Sequence, residues 1–151
     1  MTKPITGSEI LQAIRDYVPP EFDGSEKRSE KGSEMDMIDV YVAIPYSDPD
    51  THKRFARCIL ATAYAAHLIR LGKTVHSPIT HSHAIAQMGD LPLHYDFWRI
   101  TDQVHIRSYK EIHVIMADGW KDSVGVRAEI EYGIEQGKDI RYVEPETWEV
   151  K

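Results

Sequence analysis

Residues 112–143, IHVIMADGWKDSVGVRAEIEYGIEQGKDIRYV, hold a strand, a turn, a helix and a second strand in that order. Ile112 to Ala117 is an apolar run broken only by His113, the composition of a strand covered on both faces. Val126 to Gln136 returns its apolar residues at helical spacing, and Gly137 offers the left-handed residue that stops a helix. Ile140 to Val143 reads as a last strand, with β-branched residues at both ends. A strand that reaches its next strand through a helix builds a parallel sheet with right-handed crossovers.

The same alternation runs upstream. Met37 to Ile44 (MIDVYVAI) reads as a strand closed by Pro45. Pro49 to Leu71 reads as a long helix, with Asp48 as N-cap, Pro49 in the first helical position and Gly72 as the stop. Phe55, Ile59, Ala63, Ala66 and Ile69 give it an apolar stripe expected to be buried. Lys73 to His76 is a short strand, followed by a loop rich in Ser, Pro and His. Tyr95 to Tyr109 is helical in pattern. The expected fold is a small α/β domain with a doubly wound parallel sheet, flavodoxin-like or Rossmann-like, of about four to five strands. In such sheets ligands lie outside the carboxyl ends of the strands. Attention therefore falls on Pro45 to Asp50, Ser77 to His83 and Asp118 to Glu129.

The chain has 151 residues, a formal net charge of −6 and 42% hydrophobic residues. That length fits one domain with a real core. Residues 37–151 carry the α/β pattern, and residues 1–36 stand apart as an N-terminal helix and charged linker. In the former, Ile10, Leu11, Ile14, Tyr17 and Val18 recur at helical spacing; the latter has too little apolar surface to offset ordering entropy. No stretch is apolar enough to span a membrane. The lone Cys58 excludes a disulfide framework and fits a reducing compartment, so the expected location is cytoplasmic. Net acidity argues against a nucleic-acid polymer as partner but leaves room for a small phosphate held locally.

Six positions could carry chemistry. Ser123 and Gly125 open the helix after the Ile112–Ala117 strand, and they read either as ordinary capping or as an anion site on free N–H groups. With about 100° per residue from Val126, Ile130, Gly133 and Ile134 share a stripe and Glu129 borders it beside Gly133. Glu129 is therefore a candidate nucleophile or base, or simply a first-turn acid stabilising the helix dipole. Asp102 could pair with it as acid to nucleophile, the minimal set for breaking a glycosidic bond, or could be solvated. Trp98 could stack on a base or belong to the core. Arg54, with Lys53 and Arg57 beside it, lies on a face read as solvated, though near enough to a helix start to help with a phosphate. His76, His81, His83, His94, His105 and His113 lack the spacing of a zinc motif, so no metal is expected.

The ordered set Pro45-Tyr46-Ser47, Ser77-Pro78-Ile79, Trp98 with Asp102, and Gly119-Trp120, Ser123, Gly125 and Glu129 resembles the nucleoside 2-deoxyribosyltransferase-like superfamily, and within it the branch of small bacterial and phage proteins. The resemblance covers about residues 37–145, and the Gly125–Glu129 spacing is its most specific part. It implies that Glu129 attacks C1′ of a nucleoside or nucleotide, that Tyr46 orients Glu129, and that Asp102 contacts the base or sugar. Six residues before the glutamate, base-exchanging members carry an aspartate, whereas this chain has Ser123, as nucleotide-hydrolysing members do. That departure favours a nucleoside 5′-monophosphate, with Ser47 and Arg54 as further phosphate contacts. The resemblance also implies no cofactor and a homodimer or larger homo-oligomer. Two other expectations stand beside this one, a non-catalytic nucleotide-binding or sensor module and, third, a flavin-binding protein of the same fold.

Overall fold

The computed structural model describes residues 38–151. The helix expected at Ser8 to Val18 and the charged linker lie outside the described residues. The elements are β1 (Ile38–Ala43), α1 (Thr51–Arg70), β2 (Val75–His76), α2 (Pro78–Gly89), α3 (Tyr95–Ser108), β3 (Tyr109–Ile115), α4 (Val124–Glu135) and β4 (Asp139–Val143).

The strands form one four-stranded sheet in the order β2-β1-β3-β4, every pair parallel. This is the doubly wound α/β fold expected from the alternating pattern. β1 and β3 are its centre, with Tyr41 beside Ile112 and Ala43 beside Val114. Val40, Val42, Ile115 and Val143 face one side and pack under Ala61, Tyr64 and Leu68 of α1 and Ile79 of α2. Tyr41, Ala43, Ile112 and Val114 face the other side, against Ile106 of α3 and Val126 of α4. Alternate residues of one strand thus feed two cores, which explains the unbroken apolar runs. Among the described residues no helix is long and apolar enough to cross a membrane.

The ends of α1 follow local chemistry. Asp50, not Asp48, is the N-cap; its carboxylate accepts the His52 N–H at 2.8 Å, while Asp48 accepts the Asp50 N–H at 2.9 Å. A cap needs its oxygen two residues ahead of a helical amide, and Asp50 has that offset. Gly72 stops the chain at φ +79°, as expected.

Two expectations are corrected. The stripe of Phe55, Ile59, Ala63, Ala66 and Ile69 is the outer face of α1, with Ile59 52% exposed. The buried face runs through Ala61, Tyr64 and Leu68. Both faces of the helix are apolar, and only Tyr64 finds a buried polar partner, its hydroxyl lying 2.6 Å from Nδ1 of His113 on β3. The Ser-, Pro- and His-rich stretch after β2 is not a loop but the twelve-residue α2. Pro78 pre-sets its first turn, and Ile79, His83 and Ala86 form its buried line. Thr80 and Ser82 turn their hydroxyls onto the carbonyls of Ser77 and Pro78, so their polarity does not break the helix.

Candidate functional site

The strand order reverses between β1 and β3, which run parallel. β1 leaves towards α1 on one face of the sheet, and β3 leaves towards α4 on the other. The two departing loops part at the carboxyl ends, which opens the crevice where such sheets bind ligands. A cavity of about 510 Å³ lies there, bounded by Pro45–Ser47, by Gly119–Val126 and by the start of α3.

Glu129 and Asp102 both line this cavity, and both are buried. On α4 the buried line is Val126, Glu129 and Gly133, so Glu129 sits in the middle of the inward face. Ile134, assigned to that face from the sequence, is 63% exposed. α4 can press this close because residue 133 has no side chain. A Cβ there would stand 2.3 Å from Cδ1 of Ile112 and 3.1 Å from Cδ1 of Ile140. Asp102 turns inward from α3 while Ile100 and Val104 of the same helix face outward.

Burial raises the Glu129 carboxyl to about 8, with the nearby Asp102 charge pushing the same way and a bond from Tyr41 opposing them. Burial alone lifts Asp102 to about 6. Tyr41 is fully buried, and burial, followed by the Glu129 charge, drives its phenol well above the ordinary tyrosine range. Tyr41 therefore keeps its proton and donates it to Oε1 of Glu129 at 2.6 Å.

This corrects the role expected of Tyr46. Tyr46 lines the cavity, but its hydroxyl lies 2.6 Å from Nδ1 of His83, not on Glu129. The carboxylate is oriented instead by Tyr41, from the strand below. Ser47 also lines the cavity, yet its hydroxyl donates to the Leu93 carbonyl at 2.7 Å. The Trp98 indole N–H donates to the Pro92 carbonyl at 2.8 Å. Both residues thus spend polar atoms on holding the loop before α3 against the cavity. Ser123 is the N-cap of α4, its Oγ accepting the Val126 N–H at 3.3 Å, and it lines the cavity together with Gly125.

Arg54 is not brought to this cavity. Its guanidinium bonds the Asp48 carbonyl and the Thr51 hydroxyl, and it lines a neighbouring cavity behind Tyr46. Arg57 stands at the main cavity in its place. Tyr41 and Arg57 are the residues that sequence reasoning missed. Arg57 lies one turn before Ala61, on the line continued by Tyr64 and Leu68. Drawing the helix stripe through Tyr64 turns Arg57 inward. Among the described residues no three His, Cys, Asp or Glu side chains converge on a point that could hold a metal ion. His76 and His105 instead stack face to face, their ring centres 3.8 Å apart.

Fold and site together define a doubly wound α/β domain whose switch-point cavity encloses two buried carboxylates. The chain belongs to the family described as a domain of unknown function, DUF1937, whose model matches residues 38–144. No curated protein matches the chain.

Proposed function

We propose that this protein cleaves the N-glycosidic bond of a nucleoside 5′-monophosphate, with Glu129 as nucleophile. The observation that carries the reading is Glu129 itself, a carboxylate buried in the cavity, held by the Tyr41 hydroxyl at 2.6 Å and placed near a second buried carboxyl, Asp102. A glycosidic bond breaks through an oxocarbenium-like state that one carboxylate can trap while the other handles the leaving group's proton. Glu129 forms a bond to C1′ as the C1′–N bond breaks. The electron pair of that bond goes to the base nitrogen, and Asp102, when protonated, supplies the proton. Water, or a second base, then attacks C1′, gives up its proton to the Asp102 carboxylate and displaces Glu129. The resemblance that motivates this reading also carries a homo-oligomeric assembly.

The test is direct. Each common nucleoside 5′-monophosphate and its nucleoside is incubated with the protein, and free base is followed by chromatography. Release from at least one of them, abolished in Glu129→Ala, is the expected result. No release from any substrate, or equal release by Glu129→Ala, overturns the reading. In that case nucleotide-dependent thermal stabilisation that persists in Glu129→Ala identifies a binding module. Adding an acceptor base separates transfer from hydrolysis.

A further inference from the structure

The same cavity poses a question about its charge. Asp96 and Asp122 line its mouth and Asp102 and Glu129 its interior, against one arginine, Arg57, among the described residues. Asp96 and Asp122 are exposed, so water and salt screen them. Asp102 and Glu129 are raised by burial and hold protons more tightly than free carboxylates. The Arg57 side chain is only 13% exposed, and its charge is permanent, so it acts over a short range with little screening.

The guanidinium is tied down from behind. Nη1 donates to the carbonyls of Tyr46 and Ser47 at 3.2 and 3.3 Å, and Nη2 to the carbonyl of Asp118 at 3.2 Å. It therefore joins the loop after β1 to the loop after β3, the two walls of the crevice. Its carboxylate partner, Asp48, is 3.6 Å away, too far for a hydrogen bond. The carbonyls orient the group without cancelling its charge, and the fork of donors is not exhausted by these bonds. Gly119 also borders the cavity, at φ +78°, and a Cβ there would come within 3.8 Å of Nη2. A longer side chain at that position would cover Nη2 from the cavity side.

We infer that Arg57 is the anion-recognising residue of this cavity, taking the 5′-phosphate of the substrate, with Asp48 as the internal carboxylate that competes for it. The inference rests on the glycosidic reading for the identity of the substrate. The anion site itself can be tested without turnover.

The experiment measures thermal stabilisation and affinity of the full chain for nucleoside 5′-monophosphates, the matching nucleosides, ribose 5-phosphate and inorganic phosphate. Wild type is expected to prefer each nucleotide over its nucleoside and to bind ribose 5-phosphate. Arg57→Lys and Arg57→Met should weaken nucleotide affinity by about 10- to 100-fold, the worth of a charge-assisted hydrogen bond, and nucleoside affinity far less. Asp48→Asn keeps the acceptor for the Asp50 N–H and should shift affinity the other way, tightening nucleotides alone. Where turnover is present, the arginine variants should raise KM for nucleotides far more than they lower kcat. Equal losses for nucleotide and nucleoside make Arg57 a plain clamp between loops and overturn the inference. So does a wild type indifferent to phosphate. If Arg57→Met fails to fold, Arg57→Lys and the opposite sign expected of Asp48→Asn still decide. Phosphate-dependent binding without base release fails the glycosidic reading and keeps Arg57; base release as good from free nucleosides does the reverse.

Discussion

At the scale of single residues the site is a matter of one proton. Glu129 at about 8 and Asp102 at about 6 titrate as a pair in one cavity. Below about 6 both hold protons and above about 8 neither does; between, the pair keeps one. These values place that proton mostly on Glu129, whereas nucleophilic attack needs it on Asp102 and the charge on Glu129, so the reactive form is the minor of the two. The Tyr41 bond is the feature on Glu129 that pulls towards the reactive form, because it stabilises the ionised carboxylate. The expected pH profile of kcat/KM for base release is therefore a bell with limbs near about 6 and 8. Tyr41→Phe should move the upper limb to higher pH and lower neutral activity by about 10- to 100-fold, the loss of a bond to a charged group. Base release followed between about pH 5 and 9 decides it. An upper limb that stays in place removes Tyr41 from the mechanism.

At the scale of elements, the position of Glu129 depends on how closely α4 lies on the sheet. Gly133, one turn further along, fits against Ile112 and Ile140 with no room for a Cβ. Gly133→Val adds three carbons to a filled space. It should destabilise the protein by about 1–3 kcal/mol despite its better helix propensity. Base release should fall further than stability does, because the same displacement carries Glu129 away from Tyr41. Chemical denaturation beside an activity assay checks both; unchanged stability would mean that Ile112 swings aside and α4 stays in place. This part of the site was legible in the sequence. Helical phase alone placed Glu129 next to a bare glycine, and alternation alone placed both after a central strand. What the sequence hid has physical causes. α1 is apolar on two faces, so periodicity could not choose between Ile59 and Tyr64; the inward face packs Ala61, Tyr64 and Leu68 on the sheet, with Tyr64 meeting His113 across 49 residues. Arg57 was read as solvated for the same reason. α2 was hidden because Thr80, Ser82 and His83 are weak helix formers that find partners only in the folded chain. Tyr41 looked like any aromatic of a buried strand. Nothing local marks a hydroxyl that meets a carboxylate 88 residues away.

At the scale of the whole molecule, the site works against the stability of the fold that holds it, and pH shows by how much. Glu129 is raised from 4.5 to about 8 in the folded chain. A group whose folded pKa is raised contributes its stabilisation fully below the unfolded value. That contribution is lost as pH climbs through the folded one, because the native state then binds more protons than the unfolded state. The window for Glu129 opens near 4.5 and closes near 8, and Asp102, raised from 3.8 to about 6, adds a smaller term of the same sign. Glu129→Gln removes the titration, keeps an acceptor for Tyr41 and preserves the packing of α4. The variant should match wild type near pH 4.5 and exceed it above about pH 8 by roughly 2 kcal/mol. That is less than the full shift at about 1.4 kcal/mol per unit, since an ionised carboxylate draws in water. For a domain of this size the gain is several degrees of Tm. Melting wild type and Glu129→Gln side by side at both pH values, with base release measured on the same samples, tests the point. A variant that loses activity and gains stability only at alkaline pH places an ionisable, strained carboxylate at the centre of the site. A variant with an equal Tm offset at both pH values assigns the effect to packing and leaves Glu129 as an ordinary buried acid.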